Sequence, residues 1–136
     1  MGTIVVGYDG SDCARAALRT AVEVARAMGD DIHVVAAYEV SRMGGEVADL
    51  AAALRERAER IGALARDQAA GLHAEITSEV VDDRPHAALT DVAERLDARM
   101  IVVGTHGEGP LRSALIGSTP HKLLQSAGRP VLVVPA

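Results

Sequence analysis

Ile4-Val5-Val6-Gly7-Tyr8-Asp9-Gly10-Ser11 decides the fold. Its first half is a short, nearly unbroken β-branched run, the pattern of a strand buried on both faces. Its second half, Asp9-Gly10-Ser11-Asp12, is a turn with helix-capping chemistry. Residues 12–28 then place Ala17, Leu18, Ala21, Val22, Ala25 and Met28 on one stripe, which predicts a helix, and Gly29 supplies its stop. A buried strand followed at once by a capped helix is the opening of a β-α-β unit.

The same alternation runs to the end of the chain. A second strand is expected at residues 32–38, a loop with Gly44 and Gly45 at 39–45, and a long helix over about 46–70. That helix is expected to turn Leu50, Ala53, Leu54, Ala58, Ile61 and Leu64 inward and its paired charges, Arg55 to Arg60, to solvent. Residues 73–81 alternate imperfectly and predict a half-exposed strand near a sheet edge. Pro85 opens a third helix to about residue 97, with Ala88, Leu89, Val92, Ala93 and Leu96 inward. Met100-Ile101-Val102-Val103-Gly104 is a second doubly buried strand, followed by a glycine-rich loop over 104–117. Thr119-Pro120 starts a short helix that Gly128 ends, and residues 130–134 form the last strand. The expected architecture is therefore α/β and Rossmann-like, a single open five-stranded parallel sheet in the order 3-2-1-4-5 with helices on both faces. No linker or composition shift divides the chain, so residues 1–136 read as one domain.

Composition excludes several functions. Without Phe or Trp the core must be built from aliphatic residues, and base stacking on those rings is unavailable. A net charge of −5 with no run of Lys or Arg argues against nucleic-acid binding. The single cysteine, Cys13, permits neither an internal disulfide nor a cysteine-based zinc site, and is expected to be a small buried residue. No apolar run approaches the roughly 20 residues that span a bilayer, and no secretory leader is legible. The expectation is a soluble, cytoplasmic protein with no membrane partner.

In an open parallel sheet, ligands collect beyond the carboxyl ends of the strands where the strand order reverses. The first and fourth strands meet there, carrying Asp9-Gly10-Ser11 and Gly104-Thr105-His106-Gly107. Gly104, Gly107, Gly117 and Ser118 form the most informative spacing. Gly107 and Gly117 let backbone approach a ligand, and the helix start at Ser118 and Thr119 offers amides and hydroxyls to an anion. Pro120 removes one donor and is expected to leave the amides of Gly117, Ser118 and Thr119 free. Glycines alone do not separate an anion site from a plain strand-to-helix crossover. The other histidines are scattered, and no metal cluster is read.

With its opening Ile4–Ser11, its closing Arg129–Pro135 and the spacing G-x2-G-x9-G-S/T at Gly104, Gly107, Gly117 and Ser118, the chain resembles the universal stress protein family over essentially its whole length. That spacing marks the family's ATP-binding subgroup. The resemblance implies a stress-response protein that binds ATP, with Mg²⁺ carried on the phosphates. It implies Tyr8 and Asp9 near ribose and adenine, Ala37 on the adenine pocket, and Val103 and Gly104 beside the ribose. His106, Gly107, Gly117, Ser118 and Thr119 would hold the phosphates. It also implies a homodimer through the apolar last strand, residues 131–134, whose edge invites pairing. Asp82-Asp83-Arg84 before Pro85, and Pro120 itself, depart from the family's habit.

Rival readings fail on site chemistry. The P-loop G-x-x-x-x-G-K-S/T is absent, and so are the serine-glycine loop of ligases and pyrophosphatases and the H-I-G-H signature of synthetases. A phosphoacceptor receiver would need an acidic pair after the first strand and a lysine after the last parallel strand, where this chain has Pro135. No acid–base constellation is visible, so binding is expected rather than turnover, with slow ATP hydrolysis the most catalysis envisaged. Cyclic AMP binding and a nucleotide-independent dimeric module remain the alternatives.

Overall fold

A computed structural model describes residues 1–40, 47–72, 76–106 and 117–136. The elements are β1 (Thr3–Gly7), α1 (Asp12–Met28), β2 (Asp31–Tyr38), α2 (Val47–Ala69), β3 (Ile76–Asp82), α3 (Pro85–Arg95), β4 (Met100–Gly104), α4 (Ser118–Ser126) and β5 (Val131–Val134). Every neighbouring pair in the sheet is parallel, and the order is β3-β2-β1-β4-β5. The sequence reading of nine alternating elements holds. Residues 73–75 of the expected third strand, the glycines of the second loop and most of the 104–117 loop lie outside the described residues.

Strand parity divides the core. Val6, Val34 and Val102 face one way, into a cluster with the alanine-rich inner side of α1 and with Ala65 and Ala69 of α2. Val5, Val35, Ile101 and Val103 face the other way, onto Leu89 and Val92 of α3 and Leu123 of α4. Small residues along α1 let it lie close to the sheet. Ser11 caps α1 by accepting from the Ala14 amide (3.1 Å), and Gly29 closes it with φ 71°.

Four inward assignments are corrected. Met28, Leu50 and Leu64 are 48%, 48% and 57% exposed, and Ala53 is also exposed. α2 buries Ala58 as expected, together with Ala65 and Ala69, and keeps Leu54 and Ile61 half-buried. The helix rests on its small side chains. The fourth helix begins at Ser118 and ends at Ser126, just before Gly128, which takes φ 66°.

Beside Gly29, at the amino ends of the strands, the side chain of Asp30 is fully buried. It accepts from the Gly2 amide (2.8 Å) and from Arg99, whose Nη2 lies 3.1 Å from Oδ1. The hydrogen bonds from Arg99 outweigh burial and hold this carboxyl below its ordinary pKa. Its stabilising effect is therefore complete above the unfolded pKa of about 4 and disappears as pH falls through the lower folded value. Asp30→Asn should cost about 2 kcal/mol at pH 7, and the gap from wild type should close in acid. Urea unfolding at pH 7 and pH 3 checks this; a gap independent of pH would refute the assignment.

Candidate functional site

β1 and β4 pair directly, Ile4 with Met100 through Val6 with Val102, while their crossovers run in opposite directions to β2 and β5. The chain therefore parts above their carboxyl ends. A cleft opens there, on the side of the sheet that carries α3 and α4. Its void, counted out to open solvent, is about 550 Å³. Val35, Ala37, Pro85 and Leu89 form an apolar end, and Asp9, His106 and Thr119 line the polar part beside the start of α4.

Seven of the ten residues singled out from the sequence line this cleft: Tyr8, Asp9, Ala37, Val103, Gly104, His106 and Thr119. Ser118 is exposed at the first position of α4, and Gly117 precedes it; neither is a cleft wall. Gly107 lies outside the described residues. The sequence reading missed Gly7, Ala14, Val35, Pro85, Leu89 and Pro120. Period-two alternation carries the signal for Gly7 and Val35, since both fall on the parity of Val5 and Val103.

Several residues do work other than that expected. Tyr8 falls on the parity of Val6 and packs into the α1/α2 cluster, where its hydroxyl donates to Gln68 Oε1 (2.8 Å). Burial pushes its phenol up from the ordinary pKa. Asp9 Oδ1 accepts the Ser11 amide (3.0 Å) and so shapes the turn into α1. Gly104 faces α1. A Cβ there would lie 2.5 Å from Cys13 Cβ and 2.8 Å from Cys13 O, so this glycine lets the first turn of α1 cross the end of β4.

The Gly117 amide, expected from the sequence to be free, instead donates to Thr105 O (2.7 Å). This bond ties the far end of the glycine loop to its near end. Helix geometry still leaves the Ser118 and Thr119 amides without an intrahelical acceptor. Pro120, at the third position of α4, has no intrahelical bond to forfeit. Cys13 is half-buried rather than fully buried, with Sγ 3.5 Å from Thr105 Oγ1. His106 is also half-buried, with Nδ1 3.1 Å from the same hydroxyl.

Away from the cleft, His33 bonds Thr77 (2.6 Å) and Glu79 (3.0 Å) across the β2–β3 pair. Burial opposes charge on Glu79, but hydrogen bonds from His33 and Arg95 outweigh it and hold the carboxyl below its ordinary range. Among the described residues no three His, Cys, Asp or Glu side chains gather to hold a metal ion, and no helix is long and apolar enough to cross a membrane.

The sequence model of the universal stress protein family matches residues 1–135. The chain belongs to that family. A universal stress protein from Thermus aquaticus, encoded in the QAH/OAS sulfhydrylase 3' region, is 36% identical, the match covering 97% of each chain. The universal stress protein of Archaeoglobus fulgidus superposes with a TM-score of 0.79 at 27% identity, covering 98% of each chain. A universal stress protein solved in complex with cAMP superposes with a TM-score of 0.77 at 27% identity, covering 98% of this chain and 96% of that one. Within this universal stress protein fold, the glycine spacing runs from the carboxyl end of β4 to the start of α4, and the Gly117–Thr105 bond fastens its two ends together.

Proposed function

We propose that this universal stress protein binds an adenine nucleotide, ATP with Mg²⁺, in the cleft above β1 and β4, and acts as a nucleotide-responsive regulatory protein. The observation that carries the reading is the polarity of the cleft. Its apolar end suits a flat base, and its other end is bordered by the start of α4, where amides without an intrahelical acceptor and the helix dipole favour phosphate. Asp9 and the net charge of −5 oppose a bare triphosphate, so a divalent ion on the phosphates strengthens binding. The related protein solved with cAMP supports a second reading, in which the ligand is the cyclic monophosphate.

Calorimetry on ligand-free protein, with ATP in Mg²⁺ and in EDTA and with cyclic AMP, tests both readings. Micromolar ATP binding that weakens in EDTA is expected. Preference for cyclic AMP would favour the second reading, and binding of neither would overturn both. Asp9 is committed to the Ser11 amide, and fixed donors around a ground-state phosphate do not activate water. Phosphate release should therefore fall far below the ~10 per second of an average enzyme.

The reading includes a homodimer built on β5. Ile101 and Thr105 donate to the carbonyls of Pro130 and Val134, so Val131 and Val133 aim their own amides and carbonyls outward from the described sheet. Val133→Pro removes an outward donor while sparing the bonds to β4. Sedimentation should show a wild-type dimer and a variant shifted toward monomer; a wild type that stays monomeric at high concentration would refute the dimer.

A further inference from the structure

Gln68 stands in the last turn of α2 and is not a wall of the cleft, yet it is bonded to both ends of the passage from β1 into α1. Its Oε1 lies 2.8 Å from the Tyr8 hydroxyl, and its Nε2 lies 3.0 Å from Arg15 O. Tyr8 is the first residue past β1, and Arg15 belongs to the first turn of α1. Tyr8 packs its ring into the α1/α2 cluster, while its neighbours Gly7 and Asp9 line the cleft. Whatever fixes Tyr8 therefore fixes them.

The Arg15 carbonyl decides how the Gln68 amide is turned. A carbonyl only accepts, so it takes the amide nitrogen, and Oε1 is left facing Tyr8. The Tyr8 hydroxyl must therefore donate. Burial raises its pKa, which keeps that proton in place. Tyr8 is 5% exposed, so without Gln68 its hydroxyl would be an unsatisfied donor at the edge of the core. Other bonds of the turn reach less far. Ser11 N to Asp9 Oδ1 (3.0 Å) and Arg15 Nη1 to Gly10 O (2.6 Å) stay within residues 9–15 and move with the turn. The Tyr8 amide holds Val35 O (3.1 Å) on the sheet, and the Tyr8 hydroxyl holds α2.

We infer that Gln68 is a positioning residue of the cleft: from α2 it clamps the Tyr8 hydroxyl to the Arg15 carbonyl, and so fixes the turn that sets Asp9 in the cleft wall. The inference rests on the nucleotide reading above for its ligand, but the clamp itself exists without any ligand. Gln68 acts through Tyr8 and the turn, and does not need to touch the nucleotide.

Two measurements on the full chain test this. Gln68→Leu removes the clamp and orphans the Tyr8 hydroxyl. Gln68→Leu combined with Tyr8→Phe removes both partners, so stability should return toward wild type while the clamp stays absent. The first measurement is amide hydrogen exchange on ligand-free protein, with Val102 in the buried strand β4 as the reference for global stability. In Gln68→Leu the amides of residues 8 and 11 should exchange about fivefold faster, the scale of one net hydrogen bond. In the double variant they should stay fast relative to Val102. Turn amides that recover together with Val102, or that never quicken, would overturn the inference whether or not nucleotide binds.

The second measurement is calorimetry with ATP–Mg²⁺ and cyclic AMP, at a temperature where every variant is folded. Gln68→Leu should bind about fivefold more weakly, because the ligand must now order the turn itself. The double variant should bind as weakly, although its stability has recovered. Affinity that recovers with stability would make Gln68 a merely structural residue, and full affinity in Gln68→Leu would likewise overturn the role. If wild type binds neither nucleotide, the functional reading fails, and hydrogen exchange still decides whether Gln68 holds the turn.

Discussion

Gly104→Ala should lower the unfolding free energy by about 3 kcal/mol or more, at the upper end of what overpacking costs. The added Cβ would sit 2.5 Å from Cys13 Cβ, 2.7 Å from its carbonyl carbon and 2.8 Å from its oxygen. Two of these are backbone atoms in the first turn of α1, and that helix cannot retreat without opening the buried contacts of Ala17, Ala21 and Ala25. The midpoint of urea unfolding should therefore fall with its slope unchanged. Adding Cys13→Gly should not restore it, because the backbone contacts remain. Gly62→Ala is the matched control. That glycine lies inside α2, and among the described residues beyond its own helix its Cβ would meet Ser78 alone, at 3.6 Å or more, so the change should be neutral or stabilise by up to ~1 kcal/mol. Rescue by Cys13→Gly, or equal effects at the two glycines, would show that α1 is not held against β4.

The architecture was legible because its signals are local. A β-branched run, a capping turn and an apolar stripe each report on neighbouring residues, and their alternation leaves few topologies to choose from. The switch point follows from the topology, so the cleft between β1 and β4 was legible too. What a given residue does there depends on partners remote in sequence. Gly104 belongs to a glycine spacing that resembles a phosphate loop, yet the atoms that demand glycine belong to Cys13. The Gly117 amide likewise serves Thr105. A glycine in a sequence shows that something comes close, not whether it is a ligand or a helix.

Helix faces failed for a related reason. α2 was read by its leucines, but the sheet admits the helix on Ala58, Ala65 and Ala69, whose methyl groups weigh little in an apolar pattern and leave Leu50 and Leu64 at the surface. The direction of Tyr8 could have been read: it shares the parity of Ile4 and Val6, opposite to that of Val5.

Ala37→Leu should weaken adenine-nucleotide binding about a hundredfold, the affinity equivalent of ~3 kcal/mol of misfit. Ala37 lies at the end of β2, packed against the α3/α4 cluster, and lines the cleft beside Val35, Pro85 and Leu89. A leucine there adds three carbons to the space a base would fill. The same carbons bury apolar surface against Leu89 and Val81, so the thermal midpoint should hold or rise slightly, which separates a blocked cleft from a damaged fold. Inorganic tripolyphosphate with Mg²⁺ probes the other end, at the start of α4, and its affinity should match that of wild type. The three results together assign a direction to the ligand, with the base toward β2 and α3 and the phosphates toward α4. Full ATP affinity in the leucine variant would mean that the base lies elsewhere, and loss of tripolyphosphate binding as well would mean that the substitution had disturbed the whole cleft.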